Sequence, residues 1–141
     1  MEWLERVRTL LDARSPATLT THRADGTASV SPVWFRFDEG AFEVVIAEDD
    51  AKLRNLERDA RCSLLVFETV PPFRGVEVAG TPELIRGDVA AVRAAISGRY
   101  LGVTAGERFA RTRTKPGVLL RLHAERPRVW DLASILPTEP A

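Results

Sequence analysis

The sequence predicts a mainly β protein: a small, closed or nearly closed antiparallel barrel carrying short helices. Three observations lead there. About six segments have the apolar, β-branched and aromatic make-up of strands. Turn-forming clusters such as Ala24-Asp25-Gly26-Thr27 and Asp38-Glu39-Gly40 separate them. No strand–helix–strand period runs through the chain, as a parallel sheet would require.

The elements follow in order. Trp3, Leu4, Val7, Leu10 and Leu11 recur at helical spacing and predict an N-terminal amphipathic helix over residues 2–13. Ser15-Pro16 breaks it. Ala17 to Arg23 is threonine-rich and reads as a strand; after the hairpin turn, Ala28 to Phe37 returns. On that second strand Val33, Phe35 and Phe37 share one face, with Trp34 and Arg36 on the other. Ala41 to Ala47 is a third strand, with Phe42, Val44 and Ile46 on one face. A short helix from about Asp50 to Asp59 is anchored by Leu53 and Leu56. Cys62 to Thr69 is a nearly continuous apolar run, as expected of a strand covered on both faces. Val70-Pro71-Pro72-Phe73 reads as a loop. Gly75 to Arg86 is a further strand in which Gly80 and Pro82 mark a bulge or barrel corner. Asp88 caps a helix striped by Val89, Val92 and Ile96. Gly98 to Gly106 reads as a connection before a short helical piece ending near Arg113. Gly117 to His123 and Arg128 to Leu132 close the chain as a last strand or bent strand pair. The expected organisation is one domain over residues 1–141, with the barrel at 17–132 and a short C-terminal tail.

Composition narrows the function. The chain has 141 residues, 45% hydrophobic and 28% charged, which is ordinary for a globular protein. A net charge of zero removes the electrostatic case for a nucleic-acid partner. No apolar run approaches the roughly 18 residues that span a bilayer, and the acidic, amphipathic start is unlike a secretory signal. Cys62 is the only cysteine, which excludes an internal disulfide and a cysteine-ligated iron–sulfur cluster and makes a cytoplasmic home the default. With only His22 and His123 beside it, a zinc site is not expected. No Ser/His/Asp or Cys/His set has the spacing of a nucleophilic site. His22 and His123 read as structural, and Cys62 as a buried, inert thiol.

The most informative stretch is residues 29–80. An aromatic strand and a second strand lead into Asp49-Asp50-Ala51-Lys52-Leu53-Arg54-Asn55-Leu56. A helix start favours acid over base; a lysine there is explained if an anion such as a phosphate rests on the helix end. Lys52 is one of only two lysines, with Lys115, among 20 basic residues. Charge logic alone reads Lys52 equally well as a solvated helix residue. On the residues alone Trp34 better suits a core or interface aromatic, Asn55 suits a cap or turn, Arg61 a partner for Asp59, and Arg74 with Glu77 a cross-strand ion pair.

Three motifs occur in order. They are Ser31-Pro32-Val33-Trp34-Phe35, then the run from Lys52 through Asn55, Leu56, Asp59 and Arg61 to Ser63-Leu64-Leu65-Val66, then Pro72-Phe73-Arg74-Gly75-Val76-Glu77-Val78 with Gly80. Over residues 15–132 the series resembles the pyridoxamine 5'-phosphate oxidase-like superfamily, and within it the branch that uses the deazaflavin coenzyme F420. The resemblance implies a six-stranded antiparallel split β-barrel of the FMN-binding type, forming a homodimer with cofactor sites at the interface. It implies that Val30, Ser31, Pro32, Val33 and Trp34 line the cofactor ring, and that Val45 and Ile46 approach the ring or its ribityl chain. Ala51 and Lys52 meet the phosphate, with Asn55 and Arg61 supporting that corner. The oxidases of vitamin B6 carry an arginine and a lysine where this chain has Val30 and Phe35, a departure that favours the deazaflavin branch.

The implied activity is an F420-dependent oxidoreductase moving a hydride between the deazaflavin and a small unsaturated molecule. Two alternatives stand beside it: an FMN-dependent flavoprotein, and a non-catalytic protein that binds a cofactor or heme. Heme would need His22 or His123, and neither lies on the predicted cofactor strands. No metal site and no catalytic acid or base is assigned.

Overall fold

The computed structural model of the protein describes residues 2–137. The last four residues of the expected tail, 138–141, lie outside them. A helix α1 (Glu2–Asp12) precedes β1 (Ala17–His22), β2 (Ala28–Val33), β3 (Arg36–Asp38) and β4 (Ala41–Ala47). There follow α2 (Ala51–Arg58), β5 (Cys62–Phe67), β6 (Gly75–Gly80), β7 (Glu83–Arg86), α3 (Ala90–Leu101), α4 (Val103–Thr112), β8 (Gly117–His123) and β9 (Arg128–Trp130).

The strands form two antiparallel sheets, ordered β2-β1-β5-β6-β9 and β3-β4-β8-β7. Two strands pass from one sheet to the other. β2 continues into β3 across Trp34 and Phe35, and β6 continues into β7 across Thr81 and Pro82, at the corner that Gly80 and Pro82 mark in the sequence. Counting each bent strand once, the pairings close a circuit: β1, β2/β3, β4, β8, β7/β6, β5 and back to β1. That is a six-stranded barrel, with β9 added beside β6. Proline is tolerated at position 32 because β2 lies on the edge of its sheet.

The interior is filled from every strand of the circuit by Leu19, Phe35, Phe42, Val44, Ile46, Leu64, Val66, Val76, Val78, Leu120 and Leu122. Phe42 packs between Phe35 and Phe37, at centroid separations of 5.8 and 4.9 Å. α1 adds Val7, Leu10 and Leu11 to this core, and α2 adds Leu53 and Leu56.

Three expectations need correction. β5 alternates rather than being covered on both faces: Cys62, Leu64 and Val66 point inward, Leu65 is half-buried and Phe67 is 41% exposed. Barrel closure buries only one face of each strand. Residues 98–106 are not a connection, because α3 runs through Gly98 and α4 begins at Val103, leaving only Gly102 between them. The glycines serve contact instead: a Cβ on Gly106 would collide with the backbone of Gly98, so the two helices touch there. Arg74 and Glu77 do not pair with each other; Arg74 grips Glu68 at 2.6 Å and Glu77 faces Arg128.

Candidate functional site

The sequence of α2 explains its own start. Asp50 is the N-cap, and its carboxylate accepts from the Lys52 backbone N–H at 2.8 Å. The Lys52 amino group then folds back to Asp50 Oδ2 at 2.8 Å. The lysine in the first turn is thus balanced by an acid one position before the helix. Burial pushes the Asp50 carboxyl up, but hydrogen bonds from Lys52 and its charge outweigh this and hold the group below its ordinary value. Beside it, Asp49 accepts from Lys115 Nζ at 2.6 Å, and that hydrogen bond followed by the lysine charge lowers its carboxyl as well.

The residues of these two ion pairs line a groove of about 810 Å³. One wall is the barrel: Pro32, Val33 and Trp34 from the β2/β3 bend, and Val45, Ile46 and Ala47 from β4. The other is the α3–α4 hairpin with the segment after it, which contributes Arg93, Ile96, Ser97, Phe109, Thr112 and Arg113, then Thr114 and Lys115. Trp34 joins the walls. Its indole stacks on Tyr100 with centroids 4.9 Å apart and meets Phe109 at 5.4 Å. The Arg113 guanidinium lies over the Phe109 ring at 5.7 Å. The outer face of Trp34 is therefore covered by helices of the same chain.

The hairpin is tied down mainly through α3. Arg99 donates to the carbonyls of Leu11 and Ala13 at 2.7 and 2.9 Å, closing the C-terminus of α1. The Tyr100 hydroxyl donates to Ser15 O and accepts from Phe35 N, both at 3.2 Å. Arg93 donates to the carbonyls of Arg113 and Lys115 at 3.1 and 3.3 Å, fixing the segment that leads into β8.

Of the residues the resemblance implies, Pro32, Val33, Trp34, Val45, Ile46 and Lys52 come together in the groove. Ala51 is exposed next to Lys52 but does not line it, and Val30 is 61% exposed on the outer surface of β2, with Ser31 beside it. Asn55 is buried, donating to Thr21 Oγ1 at 3.1 Å and accepting from Arg58, so it ties α2 to β1. Arg61 is committed to Asp59 through bonds of 3.0 and 2.7 Å, the local pair that its spacing allows. Arg93, Phe109, Arg113 and Lys115 were not anticipated. Only Lys115 carried a signal, as the chain's second lysine.

Chemically the groove offers apolar and aromatic walls with an excess of basic side chains: Lys52, Arg93, Arg113 and Lys115 against Asp49 and Asp50. Its size falls within the usual range for small-molecule sites, and the donor set suits a planar ring bearing an anionic arm. No histidine, cysteine or glutamate lines it among the described residues. His22 ends β1, and His123 sits against Glu83 across β8 and β7. Burial pushes the Cys62 thiol up to about 12, leaving it unreactive inside the barrel. The described residues hold no metal-binding cluster, and no helix among them is long and apolar enough to cross a membrane.

Comparison with known proteins agrees with this architecture. Residues 4–131 match the family model for pyridoxamine 5'-phosphate oxidase. Among solved structures, a conserved hypothetical protein from Mycobacterium tuberculosis, Rv2991, superposes with a TM-score of 0.81 at 24% identity, covering 97% of this chain and 90% of that one. An F420 reductase superposes with a TM-score of 0.69 at 23% identity, covering 86% and 94%. The heme storage protein HutZ from Vibrio cholerae does so with a TM-score of 0.69 at 18% identity, covering 93% and 95%. At these identities the likeness is one of fold. No curated protein matches the sequence. The match along nearly the whole chain and the closed six-strand circuit agree: the chain belongs to the pyridoxamine 5'-phosphate oxidase family and has its split-barrel fold.

Proposed function

We propose that the protein is an oxidoreductase that holds coenzyme F420 in the groove and transfers a hydride between it and a small unsaturated organic substrate. The observation that carries this reading is the presence in one groove of an aromatic and aliphatic wall, Trp34 and Val45 beside the strand backbone at Val33 and Ile46, and of the two basic side chains Lys52 and Lys115. A ring system would lie along the first and its phosphate near the second. When bound, the deazaflavin supplies two-electron hydride chemistry. The residues of the chain bind and orient it and keep water from one face. Asp49 and Asp50 are held ionised by their lysines, so neither is poised to donate a proton near neutral pH. The proton that accompanies the hydride is therefore assigned to solvent, and no side chain is named as catalytic.

Anaerobic mixing with reduced F420 and a panel of conjugated enones tests this reading. Acceptor-dependent reoxidation supports it. A flavin retained through purification and released on denaturation would favour FMN instead. A cofactor held tightly but never reoxidised by any acceptor would favour the binding-protein account. Heme is the least supported ligand, since the groove has no histidine among the described residues.

The homodimer belongs to the same proposal. With Trp34 covered from within the chain, the surface we assign to a two-fold partner is the outer face of β2, β1 and β5. Val30 there is 61% exposed and Phe67 41%. Light scattering at micromolar concentration should give twice the 15.6 kDa chain mass; a monomer would remove the dimer.

A further inference from the structure

Both lysines of a chain whose other basic residues are all arginine line the same groove. They come from distant segments, the start of α2 and the strand lead before β8, and their amino groups rest on the neighbouring carboxylates Asp50 and Asp49. The Lys115–Asp49 pair is open to solvent, with side-chain exposures of 69% and 60%. Such a pair contributes little to stability and changes partner readily. The backbone beneath it is fixed by Arg93, whose guanidinium holds the carbonyls of Arg113 and Lys115. Gly117 makes room for that arginine. A Cβ at position 117 would fall 2.6 Å from Arg93 Nη2, 2.9 Å from Val89 Cγ2 and 3.0 Å from Val45 Cγ1. Opposite it, Glu48 N donates to Pro116 O at 2.9 Å, joining the segment to the end of β4.

We infer that Lys115 is a second phosphate-binding cation, acting with Lys52 on one phosphate ester of the cofactor, and that Arg93 is the positioning residue that seats it. This inference rests on the cofactor reading above. As the phosphate arrives, the two amino groups turn from Asp49 and Asp50 to its oxygens. The ammonium groups then make charge-assisted hydrogen bonds to its anionic oxygens. Arg93 acts on the ligand only through the backbone of residues 113–115.

The test compares each phosphorylated cofactor with a phosphate-free counterpart: FMN with riboflavin, which differ only in the phosphate, and F420 with its ribityl-deazaflavin, which differ in the phosphate and the acidic tail beyond it. Affinities are measured by fluorescence for wild type, Lys115→Gln, Arg93→Met and the double variant. Lys115→Gln should weaken binding of the phosphorylated member about tenfold and leave the other unchanged. Arg93→Met should do nearly the same and speed amide exchange at residues 113–117. The double variant should lose less than about twofold beyond Lys115→Gln, the non-additivity expected of residues acting as one unit. Equal loss for both members, or no loss with Lys115→Gln while wild type binds, would overturn the pair and leave the cofactor reading standing. No saturable binding by wild type would overturn the cofactor reading and the pair together.

Discussion

The two walls of the groove are built by different physics. On the barrel side, Val33, Val44 and Ile46 belong to strands paired along their length, and their neighbours Phe35 and Phe42 are completely buried. On the helical side, Ile96 and Ser97 of α3 are buried, but the one buried residue of α4 is Gly106. The side chains that α4 offers the groove are exposed, Phe109 at 37%. What holds α4 is helix–helix contact at a glycine, an aromatic stack and a cation over a ring. The barrel wall, with α3 bonded to it, therefore carries the stability of the protein, whereas α4 can change with little cost to folding. Within one scaffold, that division lets binding preference vary while the fold persists.

The sharpest test of this contrast is a matched pair of truncations. Phe42→Ala removes a fully buried ring from the barrel core and should cost about 3–5 kcal/mol of stability by denaturant unfolding. Phe109→Ala should cost about 1 kcal/mol, the worth of an aromatic contact on an open face. If the two cost the same, the walls are not energetically distinct. Between them in size lies Lys52→Ala, expected to weaken binding of a phosphorylated cofactor by about 1.5–3 kcal/mol, or one to two decades, with the fold intact. Lys52→Arg should recover part of that. Unchanged affinity in the alanine variant would return Lys52 to a partner for Asp50 and nothing more.

The smallest effect is one of pH. Asp49 and Asp50 have carboxyls lowered by their lysines, so the unfolded chain holds its protons to higher pH than the folded one. Their contribution is present above the unfolded value, about 4, and fades as pH falls through the lower folded values. Thermal melts should show the midpoint steady down to about pH 5 and declining below pH 4. Asp49→Asn should flatten the decline slightly; a midpoint that rises on acidification would contradict the assignment.

The barrel was legible because its signals are local. Ala41 to Ala47 reads as a strand from its own residues, the turn at Asp25-Gly26 fixes the first hairpin, and Gly80 with Pro82 marks the corner where a strand changes sheets. The barrel wall of the groove was legible for the same reason, since Pro32, Val33, Trp34, Val45 and Ile46 follow from strand position once the family is recognised. The helical wall was not. Gly98, Gly102 and Gly106 carry the composition of a loop, and only the close packing of α3 on α4 shows why glycine is needed at 106. Arg93 and Phe109 reach the groove through that packing, which no short-range pattern encodes. The resemblance implied that Asn55 and Arg61 support the phosphate corner, yet their side chains are engaged by nearer partners, Thr21 and Asp59.

The most direct test of the central claim, that the groove between barrel and hairpin holds a phosphorylated deazaflavin or flavin, is a titration of tryptophan fluorescence. Trp34 lines the groove, whereas Trp3 lies on α1 and Trp130 on β9, outside it. F420 or FMN should quench the emission saturably at one molecule per chain, and Trp34→Phe should abolish most of the quench. No saturation with either cofactor, or a quench that survives Trp34→Phe undiminished, would contradict the account.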